Sequence, residues 1–219
     1  QDVSDWFYQW QWRVLAYQKV ELDAEKELRE ANVEGTVLSA DIEKVNNDKR
    51  YLVIAESQGL LNQFISIEAF SENTISVCRS SEFKKNNDIS YELDLSNKAH
   101  FEQLFDSLVD AKITDVIRLY ANDKDENTTA YRSQDTAVST LHMAQTLLQF
   151  TRESRATQNE FITPALCLVT QGVQDVSLNA PVNLSHSTIW GMGRVIQTEH
   201  PELRCQLLDV NATTNDAWA

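Results

Sequence analysis

Short runs of apolar residues alternate along this chain with stretches whose apolar positions recur every three or four residues. The first pattern predicts buried strands and the second amphipathic helices. YLVIAES, 51–57, reads as a strand. Leu60, Leu61, Phe64 and Ile65 then mark one face of a helix reaching about Glu72. NTISVCRS, 73–80, is the next strand, and a polar loop, EFKKNND, separates it from the strand ISYELDL, 89–95. Asp94 or Ser96 can cap the following helix, whose buried face carries Phe101, Leu104, Phe105, Leu108 and Val109. TDVIRLYA, 114–121, is a further strand. A charged loop, NDKDENTTA, leads into a long helix over about 131–152 with Val138, Leu141, Leu147 and Leu148 as its stripe. Pro164 opens the strand ALCLVTQ, 165–171. Ser185 begins a helix that runs to about Glu199, where Pro201 stops it, and RCQLLDV, 204–210, is the last strand.

Upstream the pattern changes. Trp6, Tyr8, Trp10, Trp12 and Val14 alternate with polar neighbours, a period of two that predicts a strand with one buried face. Residues 21–50 are charged and irregular and read as a connector. The expected organisation is an aromatic strand and connector over 1–50, then a Rossmann-like α/β domain over 51–219. Its expected fold is a truncated, Rossmann-like parallel sheet flanked by helices and lacking the dinucleotide-binding loop.

Composition narrows the partners. The net charge is -14, which disfavours nucleic acid, because phosphate binding needs clustered Lys and Arg. No run of 18 apolar residues exists to span a membrane, and no basic-then-apolar leader is present, so a cytoplasmic location is expected. The start at Gln1 and the end at Trp218-Ala219 fit a domain cut from a longer polypeptide. Cys78, Cys167 and Cys205 are odd in number, widely spaced and set in apolar runs. That predicts buried reduced thiols and no metal site.

Candidate chemistry is sparse. A dinucleotide site needs a glycine-rich turn after the first strand, so that the backbone can approach the pyrophosphate at a helix N-terminus. ESQGLLNQF supplies only Gly59 of the five glycines. Gly191 and Gly193 form a lone G-x-G inside a predicted helix, with Ile196 where the third glycine would stand, and read as close-packing positions. Tyr120 and Lys124 match a Tyr-x-x-x-Lys spacing, but at a strand end and not on one helical turn, which defeats the geometry. His100, His142, His186 and His200 are scattered without ligand-spaced neighbours, and DKDENTT, 123–129, lacks the spacing of a calcium loop. These residues predict no catalytic, cofactor-binding or metal-binding position.

WGMGRVIQTEHPELRCQLLDV, 190–210, resembles a segment of modular polyketide-synthase ketoreductases. The matching positions are Trp190, Gly191, Gly193, Arg194, Val195, Glu199, His200, Pro201, Glu202, Leu203, Leu207 and Asp209. DWFYQWQWRV, 5–14, is similar to the family's opening strand, and PALCLVTQGVQDV, 164–176, to its strand-plus-turn. The resemblance implies that this is the structural, non-catalytic half of such a ketoreductase, whose other half binds NADPH and carries the Ser, Tyr and Lys of catalysis. No family site residue then falls on this chain, and no cofactor is expected on it. The implied partners are the catalytic half and neighbouring synthase domains. Two other readings are a remnant of an inactive ketoreductase that docks a methyltransferase or enoyl reductase, and a stand-alone enzyme.

Overall fold

A computed structural model describes residues 49–66, 70, 73–120, 129–158, 160–174 and 184–210. All of them lie in one compact unit, Asn46–Ala219. The aromatic strand at 6–14, the connector as far as residue 48 and the loop 121–128 lie outside the described residues.

The elements follow in the order β1 (Tyr51–Ala55), α1 (Gln58–Ile65), β2 (Thr74–Arg79), β3 (Lys84–Asn87), β4 (Ser90–Leu93), α2 (Lys98–Asp106), β5 (Asp115–Leu119), α3 (Thr129–Thr157), β6 (Ala165–Gln171), α4 (Ser187–Glu199) and β7 (Gln206–Val210). They build one seven-stranded sheet in the order β3-β4-β2-β1-β5-β6-β7. Every neighbouring pair is parallel except β3 with β4. The parallel strands therefore step one way from β1 through β2 to β4, and the other way through β5, β6 and β7. Strand order reverses between β1 and β5, as in a dinucleotide-binding sheet.

The two faces of the sheet are unequally covered. Leu52, Ile54, Val116, Leu166 and Leu168 point into the larger core with Phe101, Leu104, Met143, Leu147 and Ile189, supplied by α2, α3 and α4. On the other face, Val53, Ala55, Leu119 and Val169 pack with Leu60, Leu61 and Phe64 of α1. β1 is buried at all five positions, which is why it reads as an unbroken apolar run.

The predicted elements recur with several corrections. EFKKNND is not all loop. Lys84–Asn87 forms the antiparallel edge strand, exposed at all four positions. It stands where a β2-to-β4 crossover would ordinarily carry a helix. Ser90 and Glu92 alternate with buried Tyr91 and Leu93 on β4, so the face left without a helix is polar there. Lys residues on an edge strand also discourage pairing with a further strand. α1 stops at Ile65, short of Glu72, and it is Asn97 that caps α2, its side chain accepting from the Ala99 N–H at 3.0 Å. Val109 and Leu141 are exposed, and Val138 is half-buried. The buried stripe of α3 runs through Met143, Ala144, Leu147, Leu148 and Phe150.

Candidate functional site

In a sheet with this strand order, a dinucleotide lies across the carboxyl ends of the strands where the order reverses, with its pyrophosphate on the first strand–helix turn. Three charged residues occupy that region here, each at or near the end of a different parallel strand. Glu56 follows β1, Arg79 ends β2, and Arg118 lies one residue before the end of β5.

The Glu56 carboxylate accepts from both arginines. One oxygen takes Arg79 Nε at 2.5 Å and the other takes a terminal N–H of Arg118. Arg79 continues to the Asp135 carboxylate of α3 at 2.9 Å, and the Ser96 hydroxyl donates to that same carboxylate. Arg118 is fully buried beneath α3. It also donates to the Ile54 and Leu119 carbonyls, both at 3.4 Å, and to the Ser139 hydroxyl at 3.3 Å. Its guanidinium carbon lies 4.8 Å from the centre of the Tyr120 ring. Two cations and two carboxylates thus form a chain that ties β1, β2, β5 and α3 together. Burial by itself would raise the Glu56 carboxyl. The Arg118 charge and the Arg79 hydrogen bond outweigh burial and hold it below its ordinary value.

The turn after β4 is pinned to the same network. Ser96 N–H donates to Asp94 Oδ1 at 2.9 Å. His100 Nδ1 accepts from the Asp94 N–H at 3.1 Å, and His142 Nδ1 donates to the Ser96 carbonyl at 3.0 Å. These two histidines position a turn. His200 lies beside Glu202 at 3.5 Å, and His186 is buried against Tyr120 with ring centres 5.5 Å apart. Burial lowers the His186 pKa to about 4. Among the described residues no group of three or more His, Cys, Asp or Glu is placed to hold a metal ion, and no helix is long and apolar enough to cross a membrane. Cys78 and Cys205 are buried free thiols, and Cys167 is half-buried and also free.

The residues at the reversal do not fit a dinucleotide. The Glu56 carboxylate stands on the first strand–helix turn, where a pyrophosphate would meet like charge. The Ser57 side chain takes the Leu60 N–H at 3.3 Å, one of the donors that an anion at this helix end would use. Arg79, about 20 residues past that turn, is placed where a ribose or its phosphate is read. Its Nε and one terminal nitrogen are already held by Glu56 and Asp135. Tyr120 is fully buried, its hydroxyl 2.6 Å from Thr140 Oγ1. Burial pushes its phenol up to about 12, despite the nearby Arg118 charge and the Thr140 hydrogen bond, the opposite of what proton transfer needs. Lys124 lies outside the described residues.

Several positions of the 190–210 motif make packing or hydrogen-bond contacts within the fold. Trp190 Nε1 donates to Thr170 Oγ1 at 2.9 Å, and Thr170 donates to Asp209 Oδ1 at 2.7 Å. Asp209 also accepts from the Val173 and Gln174 N–H groups at 3.2 and 2.9 Å, closing the turn after β6. Gly193 is a close-packing position. Gly191 is not, because a Cβ there would meet nothing within 4 Å.

Sequence reasoning passed over Glu56, Arg79 and Arg118 because each sits in or beside an apolar run. The signal was present nonetheless: β1, β2 and β5 each carry a charged residue at or beside the carboxyl end, and such residues are rare in buried strands unless paired.

The family model for the Rossmann-fold domain of the polyketide-synthase extender module SpnB matches residues 72–219. The chain belongs to that family of synthase-module Rossmann-fold domains. Among solved structures it is similar to an adenylation, ketoreductase and pseudo-Asub multidomain structure of a keto-acid-selecting NRPS module. The identity is 20% and the TM-score 0.63, over 78% of this chain and 14% of that one. It is also similar to an N-terminal ketoreductase from the macrolactin assembly line, at 10% identity and TM-score 0.52, over 75% of this chain and 32% of that one. A short-chain dehydrogenase from Burkholderia cenocepacia J2315, in complex with NADP, is similar at 13% identity and TM-score 0.51, over 75% of this chain and 72% of that one. These likenesses concern the fold, and the chain spans less than a third of the first two proteins. No curated protein sequence matches it.

Proposed function

We propose that this chain is the structural half of a polyketide-synthase ketoreductase and reduces nothing by itself. Its task is to support a catalytic half that binds NADPH and reduces a carrier-bound β-ketoacyl intermediate, and to present a folded surface to that half and to neighbouring synthase domains. The observation that carries this reading is the Glu56 carboxylate held between Arg79 and Arg118 where the strand order reverses. A reductase needs that crevice to accept a phosphate, and the carboxylates already paired with its arginines support the reading that this one does not. Membership in the synthase Rossmann family supports the setting.

The experiment is a titration of NADPH into the purified chain by calorimetry, followed by reconstitution with the catalytic half of its parent module. The reading expects no saturable binding by the chain alone. It expects the catalytic half to be soluble and active only when this chain is present. Micromolar NADPH binding by the chain, or full reductase activity of the catalytic half without it, would overturn the proposal.

A further inference from the structure

The misfit to a dinucleotide leaves two guanidinium groups where an anionic ligand would be expected, and their anion comes from the chain itself. Arg118 has no exposed surface, and its Nε finds no hydrogen-bond partner. A buried cation with an orphaned N–H is a costly group unless a counter-charge lies against it. Glu56 is that counter-charge. The side chains of Glu56, Arg79 and Asp135 are 19%, 28% and 26% exposed, so the cluster opens to solvent above Arg118. Glu56 and Asp135 pair with the two arginines, the Asp94 charge also acts on Arg79, and removal of Glu56 takes away the carboxylate paired with Arg118. Planar guanidinium forks suit carboxylate and phosphate oxygens alike.

We infer that Arg79 and Arg118 form an oxyanion site of the phosphate class whose resident anion is the Glu56 carboxylate, standing in for the phosphate of a ligand. The inference deepens the reading of a closed crevice and rests on it. The closure is a charged site that carries its own anion, and not a crevice refilled with apolar side chains.

The test uses the full chain with Glu56→Ala and inorganic phosphate as the probe, with chloride at matched ionic strength as the control. Removing one partner of a buried pair is expected to lower Tm by an amount on the order of 10 °C. Phosphate should restore a large part of that loss in a saturable manner, and chloride should not. Adding Arg79→Gln should abolish the restoration. Wild-type Tm should show only the gradual, non-saturable rise that a kosmotropic anion gives, because its site is filled. If Glu56→Ala does not fold, Glu56→Ser, which also clears the place of the carboxylate, carries the same test. A folded variant with no saturable phosphate effect overturns the inference, and so does an effect that survives Arg79→Gln. A saturable phosphate effect on the wild type also overturns it. None of these outcomes depends on NADPH, so failure here and failure of the structural-half reading are separable.

Discussion

Gly193 on α4 and Leu207 on β7 are packed so closely that a Cβ added to the glycine would stand 2.4 Å from Leu207 Cδ2. Gly191, two positions earlier on the same helix, faces open space. The pair therefore makes opposite predictions. Gly193→Ala forces Leu207 aside and should destabilise the domain by about 1–3 kcal/mol. Gly191→Ala should stabilise it by up to about 1 kcal/mol, because glycine is a poor helix residue and nothing obstructs the new methyl. Urea denaturation of the two variants checks both signs.

Asp209 accepts from the Thr170 hydroxyl and from the Val173 and Gln174 N–H groups. Asp209→Ala strands these donors and should cost about 2–3 kcal/mol. Amide exchange at Val173 and Gln174 should accelerate more than exchange in β1. Trp190→Phe removes only the bond to Thr170 and should cost about 1 kcal/mol.

His186 sets a pH dependence. Its pKa falls from an ordinary 6.5 to about 4 in the folded chain, chiefly through burial. Between those values the unfolded chain takes up a proton that the folded chain refuses, so stability falls as pH is lowered from about 6.5 to 4. The loss should reach about 2–3 kcal/mol at the acid end of the window. His186→Gln should flatten this part of a stability–pH profile.

Glu56 acts at lower pH. Its folded pKa lies below its ordinary 4.5, so its contribution is fully present above that value and is lost as pH falls through the folded pKa. Glu56→Gln should be less stable than wild type at pH 7, and the two profiles should converge as pH falls below the ordinary 4.5 and through the lower folded pKa. Parallel profiles across that range would separate Glu56 from the acid transition.

Much of the fold was legible because buried parallel strands announce themselves as apolar runs. YLVIA is buried at every position, and ALCLVTQ was bounded correctly from Pro164. The hairpin strand Lys84–Asn87 was missed because an exposed edge strand has no buried face to impose a period. Leu141 is exposed because the buried face of α3 carries the polar residues Thr136, Ser139 and Thr140, of which Ser139 meets Arg118 and Thr140 meets Tyr120. The site was illegible for a related reason. Arg118 reads as an interruption in DVIRL until Glu56, 62 positions away, is placed against it. The absence of a glycine-rich turn could be read directly. What closes the crevice in its place depends on contacts between distant segments.

If the Glu56–arginine pairs close the crevice at the β1–β5 reversal, the chain binds no dinucleotide there. Calorimetric titration of NADPH into the wild-type chain at low salt tests it most directly, because low salt favours any phosphate binding that the arginines permit. The account predicts no saturable heat up to millimolar NADPH. Stoichiometric binding in the micromolar range, lost on Arg79→Gln, would contradict it.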